Sequence, residues 1–442
     1  MISFLILLSL FCSLASAQLS GSVGPLKSYK SKAQTKTCNV LDYGAKSGLD
    51  ISTPLTNAWK ECKNGGLVYI PPGTYSMSSW VSFNDGDSSA IQLDGTIYRT
   101  GTAGGTMINI NNCKDFEFFS GNSKGAMQGY GYEFIEKGTY GPRLIRFTDV
   151  TDFSFHGIAL IDSPAYYLVF DTCSNGEIYN AIIRGITIGE TDGIDVWGDN
   201  IWVHDVEVTN GDECVTVKSP AKNLLIEDIY CNISGGCAIG SLGLDTDISD
   251  ISYQNLYLNQ ADACFIKTNK GSGTVKNISW DSVIVQSGSY PLTIDEAWGT
   301  SNGGKGVQIS GLKYTNWHGT NVQNSRPVIR LDYNVNLWTV DGNYVIWSCE
   351  NAYGTGACLR GGNKYAAYGV TETEKSAPNL SRNYASATMS GDLAKPYPST
   401  KAFIIPPIPT TFFPGQKPVS KLLDLSGAGG LSAVVARATP TS

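Results

Sequence analysis

From about residue 65 onward, apolar residues come in short strand-length runs separated by Gly, Asn and Asp, the punctuation of an all-β chain. One unit recurs: an aromatic or β-branched residue, any residue, then Asp, Asn, Gly or Ser, then usually an apolar residue. It appears at Phe155-His156-Gly157-Ile158, Ile178-Tyr179-Asn180-Ala181, Val203-His204-Asp205-Val206, Ile226-Glu227-Asp228-Ile229, Tyr253-Gln254-Asn255-Leu256 and Trp280-Asp281-Ser282-Val283. The spacings are 23, 25, 23, 27 and 27 residues, and a further copy, Tyr314-Thr315-Asn316-Trp317, follows a longer gap with room for an insertion. A period of 20–50 residues with strands but no helix in each unit predicts stacked coils of parallel strands. A sandwich would need hairpin turns, and two-residue hairpin signals are scarce. In a stacked coil, alternate residues point in and out, so one outer sheet becomes a long shallow groove suited to a polymer.

Outside the repeat, residues 18–37 are rich in Ser, Lys and Gly and are expected along the surface, with order beginning near Cys38. Residues Pro54 to Cys62 form the one early helical stretch, a cap for the open apolar edge of the first coil. After about residue 361 the repeat fades, and the Pro-rich stretch Lys395 to Pro418 reads as extended chain against the coils. The expected organisation is a leader at 1–17, one domain at 18–415 and a mobile tail at 416–442.

Composition supports a single large β domain of 442 residues, with 49 Gly, 23 Tyr and 9 Trp and hardly any helical periodicity. Residues 1–17 are an apolar run ending in Ala15-Ser16-Ala17, the pattern of a signal-peptidase site, so a soluble, secreted chain starting at Gln18 is expected. No other stretch has the roughly 20 apolar residues needed to span a membrane. The acceptor triplets at Asn232, Asn277 and Asn379 fit that route as glycosylation sites. Ten cysteines remain after Cys12 leaves with the leader, and the expected pairs are Cys38 with Cys62, Cys214 with Cys231, and Cys349 with Cys358. Cys113, Cys173, Cys237 and Cys264 are then expected as buried thiols. Only three histidines exist, without metal-ligand spacing, and no paired CxxC occurs, so no metal or other cofactor is expected. A net charge of −7 argues against a nucleic-acid partner.

The chemistry concentrates in residues 191–219, TDGIDVWGDNIWVHDVEVTNGDECVTVKS. Asp192 precedes one apolar run and the pair Asp212-Glu213 precedes the next, about 20 residues on. If these runs are successive rungs about 4.8 Å apart, three carboxylates share one patch. Crowded like charges pull pKa values apart, and a protonated and an ionised carboxyl across a groove are the minimal apparatus of glycoside hydrolysis. Asp212, between the other two, is the expected proton donor, with Asp192 and Glu213 activating water. Lys267 on a later rung is a candidate for holding a uronate carboxylate. Asp195, Lys218 and Gly236 are further substrate-binding candidates, and Tyr290, Asp295 and Trp298 are weaker ones.

The order of DGID, DECVTVKS, SGGCAIGS and FIKTNKG, after VLDYGA and GGLVYIPPGTY, resembles glycoside hydrolase family 28, the polygalacturonase superfamily, and within it the fungal rhamnogalacturonan hydrolase branch. The resemblance covers roughly residues 18–415. It implies a right-handed parallel β-helix and a metal-free, inverting hydrolase; a monomer is expected. The implied reaction is cleavage between galacturonic acid and rhamnose in the pectic polysaccharide rhamnogalacturonan I, and endo attack is expected. The family's acidic positions match Asp192, Asp212 and Glu213, and the lysine of its arginine-x-lysine motif matches Lys267. Polygalacturonases carry Asp-Asp where this chain has Asp212-Glu213, a His-bearing motif at Gly236-Cys237-Ala238, Arg at Phe265 and Asn at Glu190. Those departures fit the rhamnogalacturonan branch. The rivals are a polygalacturonase or xylogalacturonan hydrolase on the same fold, a calcium-dependent pectate lyase, and a non-catalytic glycan-binding solenoid.

Overall fold

The computed structural model describes residues 18–321 apart from 187–188, 263, 289–291 and 296–297, together with residues 329–332, 348–353, 360–361, 371–375, 404–406 and 408. Its strands pair in parallel, each with strands one coil before and one coil after. Leu168–Arg184 pairs with Ile194–Thr209, which pairs with Glu213–Asn232. The last of these then divides its pairing between Gly236–Leu242 and Thr246–Asn259. The fold is the parallel β-helix that the repeat predicts.

The repeat units fall into one register: Phe155 opposite Ile178, then Val203, Ile226, Tyr253, Trp280 and Tyr314. The first residues from Phe155 to Trp280 are all at most 1 % exposed, in one continuous core. Each such burial is worth about 1.5–3 kcal/mol against exposure. The rings of Tyr253, Trp280 and Tyr314 stack nearly parallel, with centroids 5.4 and 4.9 Å apart. The third position of the unit has a backbone reason. Asn180, Asp205, Asp228, Asn255 and Ser282 have φ between 48° and 60°, and Gly157 has φ 72°. The coil turns there through left-handed backbone, which Gly, Asn and Asp adopt at least cost.

Helix α2, Ser52–Cys62, lies over the first strands and buries Leu55, Ala58 and Trp59 against them. The Cys38–Cys62 disulfide ties it to the strand Thr37–Asn39, and Cys214–Cys231 closes a second loop beside the acidic rungs. Cys113, Cys173, Cys237 and Cys264 are free and buried. Cys358, and with it the third expected pair, lies outside the described residues, as do Asn379 and Tyr290.

The segment before Cys38 differs from expectation. It is ordered from Gln18, whose Nε2 donates to Leu224 O at 2.9 Å, and it runs back along the coils. Ser20 N donates to Asn200 Oδ1 at 2.9 Å, Gly24 N to Asn175 O at 3.0 Å and Lys27 N to Asp115 Oδ1 at 3.0 Å. It ends in helix α1, Tyr29–Thr35, capped by the Ser28 side chain. Lys32 of α1 is buried and pairs with Asp115 Oδ1 at 3.1 Å. A Ser- and Lys-rich composition resembles a solvated strap. It hides an ion pair whose acidic half lies 83 residues away.

One glycosylation expectation is overturned. Asn232 is fully buried; its Nδ2 donates to Thr209 Oγ1 at 3.2 Å and its Oδ1 accepts from Asn259 Nδ2 at 2.9 Å. A glycan there has no route out of the folded coil. Asn277 stands exposed at a corner, its Nδ2 3.1 Å from Asp250 Oδ1.

Candidate active site

Stacking brings the acidic residues together. Ile194 pairs with Val215, so Asp192 and Glu213, each two residues earlier, stand on adjacent rungs, and Gly193 N donates to Glu213 O at 2.8 Å. Asp212 sits in the tight turn just before, which needs left-handed backbone at Gly211, φ 84°. That turn is clamped by Asn210, fully buried, whose Nδ2 donates to Thr191 O at 2.6 Å and Glu213 O at 2.8 Å. Sequence reading missed this role of Asn210, although its Asn-Gly dipeptide is a turn signal. One carboxylate oxygen from each of Asp192, Asp212 and Glu213 lies within 4.8 Å of the other two.

Their surroundings differ. Asp192 and Glu213 are 5 % and 3 % exposed, while Asp212 is only partly buried. Lys267 makes an ion pair with Glu213. Its ammonium lies 5.1 Å from the Phe265 ring and 4.8 Å from the Trp298 ring, so two aromatic rings enclose it. Lys218 Nζ lies 3.4 Å from both Asp192 Oδ2 and Asp195 Oδ1 and donates to Gly240 O at 3.0 Å. Among the described residues, Asp212 makes no ion pair at that range. Its Oδ2 accepts from Glu190 N at 2.5 Å and its Oδ1 from Glu213 N at 2.9 Å.

Burial raises the pKa of Asp212, and the charges of Lys267 and Lys218 oppose it only in part. The expected cause was the negative field of its neighbours; desolvation is the larger one. Burial also raises Asp192, with Lys218 pulling it down and Asp212 pushing it up. Asp195 is pushed up to about 8, by burial first, then by Asp192 against the pull of Lys218. Burial lowers Lys267, while for Lys218 the nearby Asp195 and Asp192 outweigh burial and raise it.

Several candidates stand elsewhere than expected. Lys267, expected to hold a uronate carboxylate, is paired with Glu213, which leaves the other N–H groups of its ammonium for a further partner. Asp195 is 4 % exposed behind Asp192, within reach of Lys218 rather than open to the groove. Gly236, opposite Glu213, is buried in a turn at φ 78°, so turn geometry rather than contact with a polymer explains the glycine. Trp298, by contrast, is half exposed at the rim, and Asp295 pairs in register with Lys267.

Known proteins resemble this chain along most of its length. The profile described as glycosyl hydrolases family 28 matches residues 86–358. The chain is 57 % identical over 444 aligned residues to a probable rhamnogalacturonase C of Aspergillus niger, covering 96 % of each. It is 49 % identical to rhamnogalacturonase A of Aspergillus aculeatus, covering 95 % of this chain and 99 % of that one. Among solved structures, the endo-xylogalacturonan hydrolase of Aspergillus tubingensis superposes with a TM-score of 0.61 at 21 % identity, over 78 % of this chain and 100 % of that one. Endopolygalacturonase I of Stereum purpureum gives 0.56 at 16 % identity, over 77 % and 100 %. These two establish likeness of fold. Stacked parallel coils, three carboxylates on neighbouring rungs and a profile match across most of the repeat together place this chain in glycosyl hydrolase family 28.

Proposed function

We propose that this glycoside hydrolase cleaves the galacturonic acid-(1→2)-rhamnose linkage of the rhamnogalacturonan I backbone, from within the chain and with inversion. The observation that carries the chemistry is the unequal pairing of three crowded carboxylates with two lysines. Glu213 and Asp192 each pair with an ammonium, which favours the ionised carboxylate. Asp212 makes no ion pair with either lysine among the described residues, is raised by burial against the pull of both and is the least buried of the three, so it holds the proton for the departing sugar oxygen. Once Asp212 is protonated its push on Asp192 disappears, which strengthens the division of roles. The choice of substrate rests on relatives named rhamnogalacturonase that align along nearly the whole chain.

Inverting enzymes ordinarily separate their two carboxyl groups by about 6.5–9.5 Å, and retaining ones by about 5 Å. The oxygens here approach within 4.8 Å, tighter than that rule for inversion. Three groups change the requirement, because two ionised carboxylates can hold one water between them while the third protonates the leaving group. Proton NMR of the first products from purified rhamnogalacturonan tests this directly. The expected result is the inverted anomer, while retention would make one carboxylate a nucleophile instead. Asp212→Asn should lower the rate at least about a hundredfold while leaving the fold intact. EDTA should leave the rate unchanged, and no unsaturated product absorbing in the ultraviolet should form. An EDTA-sensitive reaction with such a product would replace the hydrolase reading by a lyase. The apolar run at 1–17, ending in Ala15-Ser16-Ala17, supports secretion, and Asn277 is the acceptor triplet whose exposure supports a glycan.

A further inference from the structure

The register that aligns Asp192 with Glu213 continues toward the N-terminal coils. Ile145 pairs with Leu168, Leu168 with Ile194 and Ile194 with Val215. Two residues earlier on each rung stand Arg143, Tyr166, Asp192 and Glu213, a polar column across four successive coils. The backbone bonds agree: Leu144 N to Tyr166 O at 3.2 Å and Tyr167 N to Asp192 O at 3.0 Å. Arg143 therefore lies two rungs, about 10 Å, from Asp192 along the groove.

Arg143 is arranged unlike the other cations of this wall. Its guanidinium carbon lies 4.9 Å from the centroid of the Tyr166 ring, and its Nε is enclosed without a hydrogen-bond partner. Arg146, three residues later on the same strand, pairs with Asp171 and lies over Trp197. Arg99 pairs with Glu133, and Lys218 and Lys267 are held by the catalytic carboxylates. Among the described residues, Arg143 is the one of these five cations that faces no carboxylate. A guanidinium flattened on an aromatic ring presents a planar fork of donors, which matches a carboxylate in two parallel hydrogen bonds. A backbone with a uronic acid at every second sugar brings such carboxylates along the groove at regular intervals.

We propose that Arg143, held by Tyr166, binds the carboxylate of a uronic acid residue on the N-terminal side of the cleavage position and sets specificity for a charged sugar there. This rests on the polysaccharide hydrolase reading above. Sequence alone offered no signal for it, because Arg143 follows an unremarkable Gly-Pro loop and its partner Tyr166 arrives from the next coil.

The test uses the full-length enzyme and a series of rhamnogalacturonan oligosaccharides of increasing length, with kcat and KM measured for each. For the wild type, kcat/KM should rise at the length that first places a uronate two rungs from Asp192. Arg143→Gln should remove that rise, losing about tenfold to a hundredfold on the longer oligomers while leaving the shorter ones unchanged. Arg143→Lys should keep part of the rise, as a point charge without the fork. An equal loss at every length, or a length dependence identical to the wild type, would overturn the proposal. A wild type that cleaves none of the oligomers would refute the hydrolase reading itself.

Discussion

At the scale of single residues, position in the coil decides how each carboxyl behaves. Asp212, Asp192 and Asp195 are of one residue type within a short stretch, and each is raised by burial, but their lysine neighbours differ. Asp162 gives the same physics away from the site. It is fully buried, its Oδ2 accepts from Tyr132 N at 3.2 Å, its Oδ1 has no hydrogen-bond partner, and burial raises it to about 7. A folded-state pKa above the ordinary carboxyl value means that the neutral form is favoured in the fold. Its contribution is therefore complete at low pH and is lost as pH rises from the ordinary carboxyl range through about 7. A shift of that size corresponds to on the order of 4 kcal/mol. Asp162→Asn keeps the hydrogen bond from Tyr132 without the charge. Denaturant unfolding at a series of pH values should therefore show the variant gaining on the wild type from pH 5 to pH 8. Parallel curves across that range would mean that Asp162 ionises as freely in the fold as out of it.

At the scale of elements, the corner residues and the N-terminal strap account for what the repeat leaves out. The strap crosses one row of corners, where Asn200 Nδ2 donates both to Ser22 O at 3.0 Å and to Asn175 Oδ1 at 2.9 Å. Its helix α1 is anchored through Lys32, whose Nζ donates to Asp115 O at 2.8 Å beside the ion pair. Removing one partner of a buried pair leaves the other charge uncompensated, so Lys32→Ala should destabilise by about 3–5 kcal/mol. Urea unfolding gives the number. Replacing both partners together, Lys32→Met with Asp115→Asn, should recover a good part of it, because no bare charge then remains. If the single substitution shifts the midpoint negligibly, the strap is peripheral after all.

At the scale of the whole molecule, a solenoid has ends, and its first coil would offer unpaired strand edges and bare apolar faces. Helix α2 covers that end, with Leu55 fully buried and Trp59 packed on Phe83 at 5.0 Å between ring centroids. Leu55→Asp places a charge under the cap, costing several kcal/mol. The expected outcome is self-association seen by light scattering at temperatures where circular dichroism still reports the coils. Unfolding without prior association would show that the cap serves stability rather than solubility.

The amino-acid sequence alone determined the coil. Inward apolar positions and left-handed corners repeat every 23–27 residues, and both are local requirements of the backbone, readable one unit at a time. The likeness of motifs pointed to the family for the same reason, since Asp192, Asp212 and Glu213 lie within two neighbouring units. Only the tertiary structure decided what surrounds them. That Lys267 pairs with Glu213, that Lys218 bridges Asp192 and Asp195, that Asn232 is sealed inside, and that Lys32 is buried on Asp115 all depend on contacts between distant parts of the chain. Charge state and access follow from burial and from neighbours one or more coils away, and no local pattern in the chain encodes either.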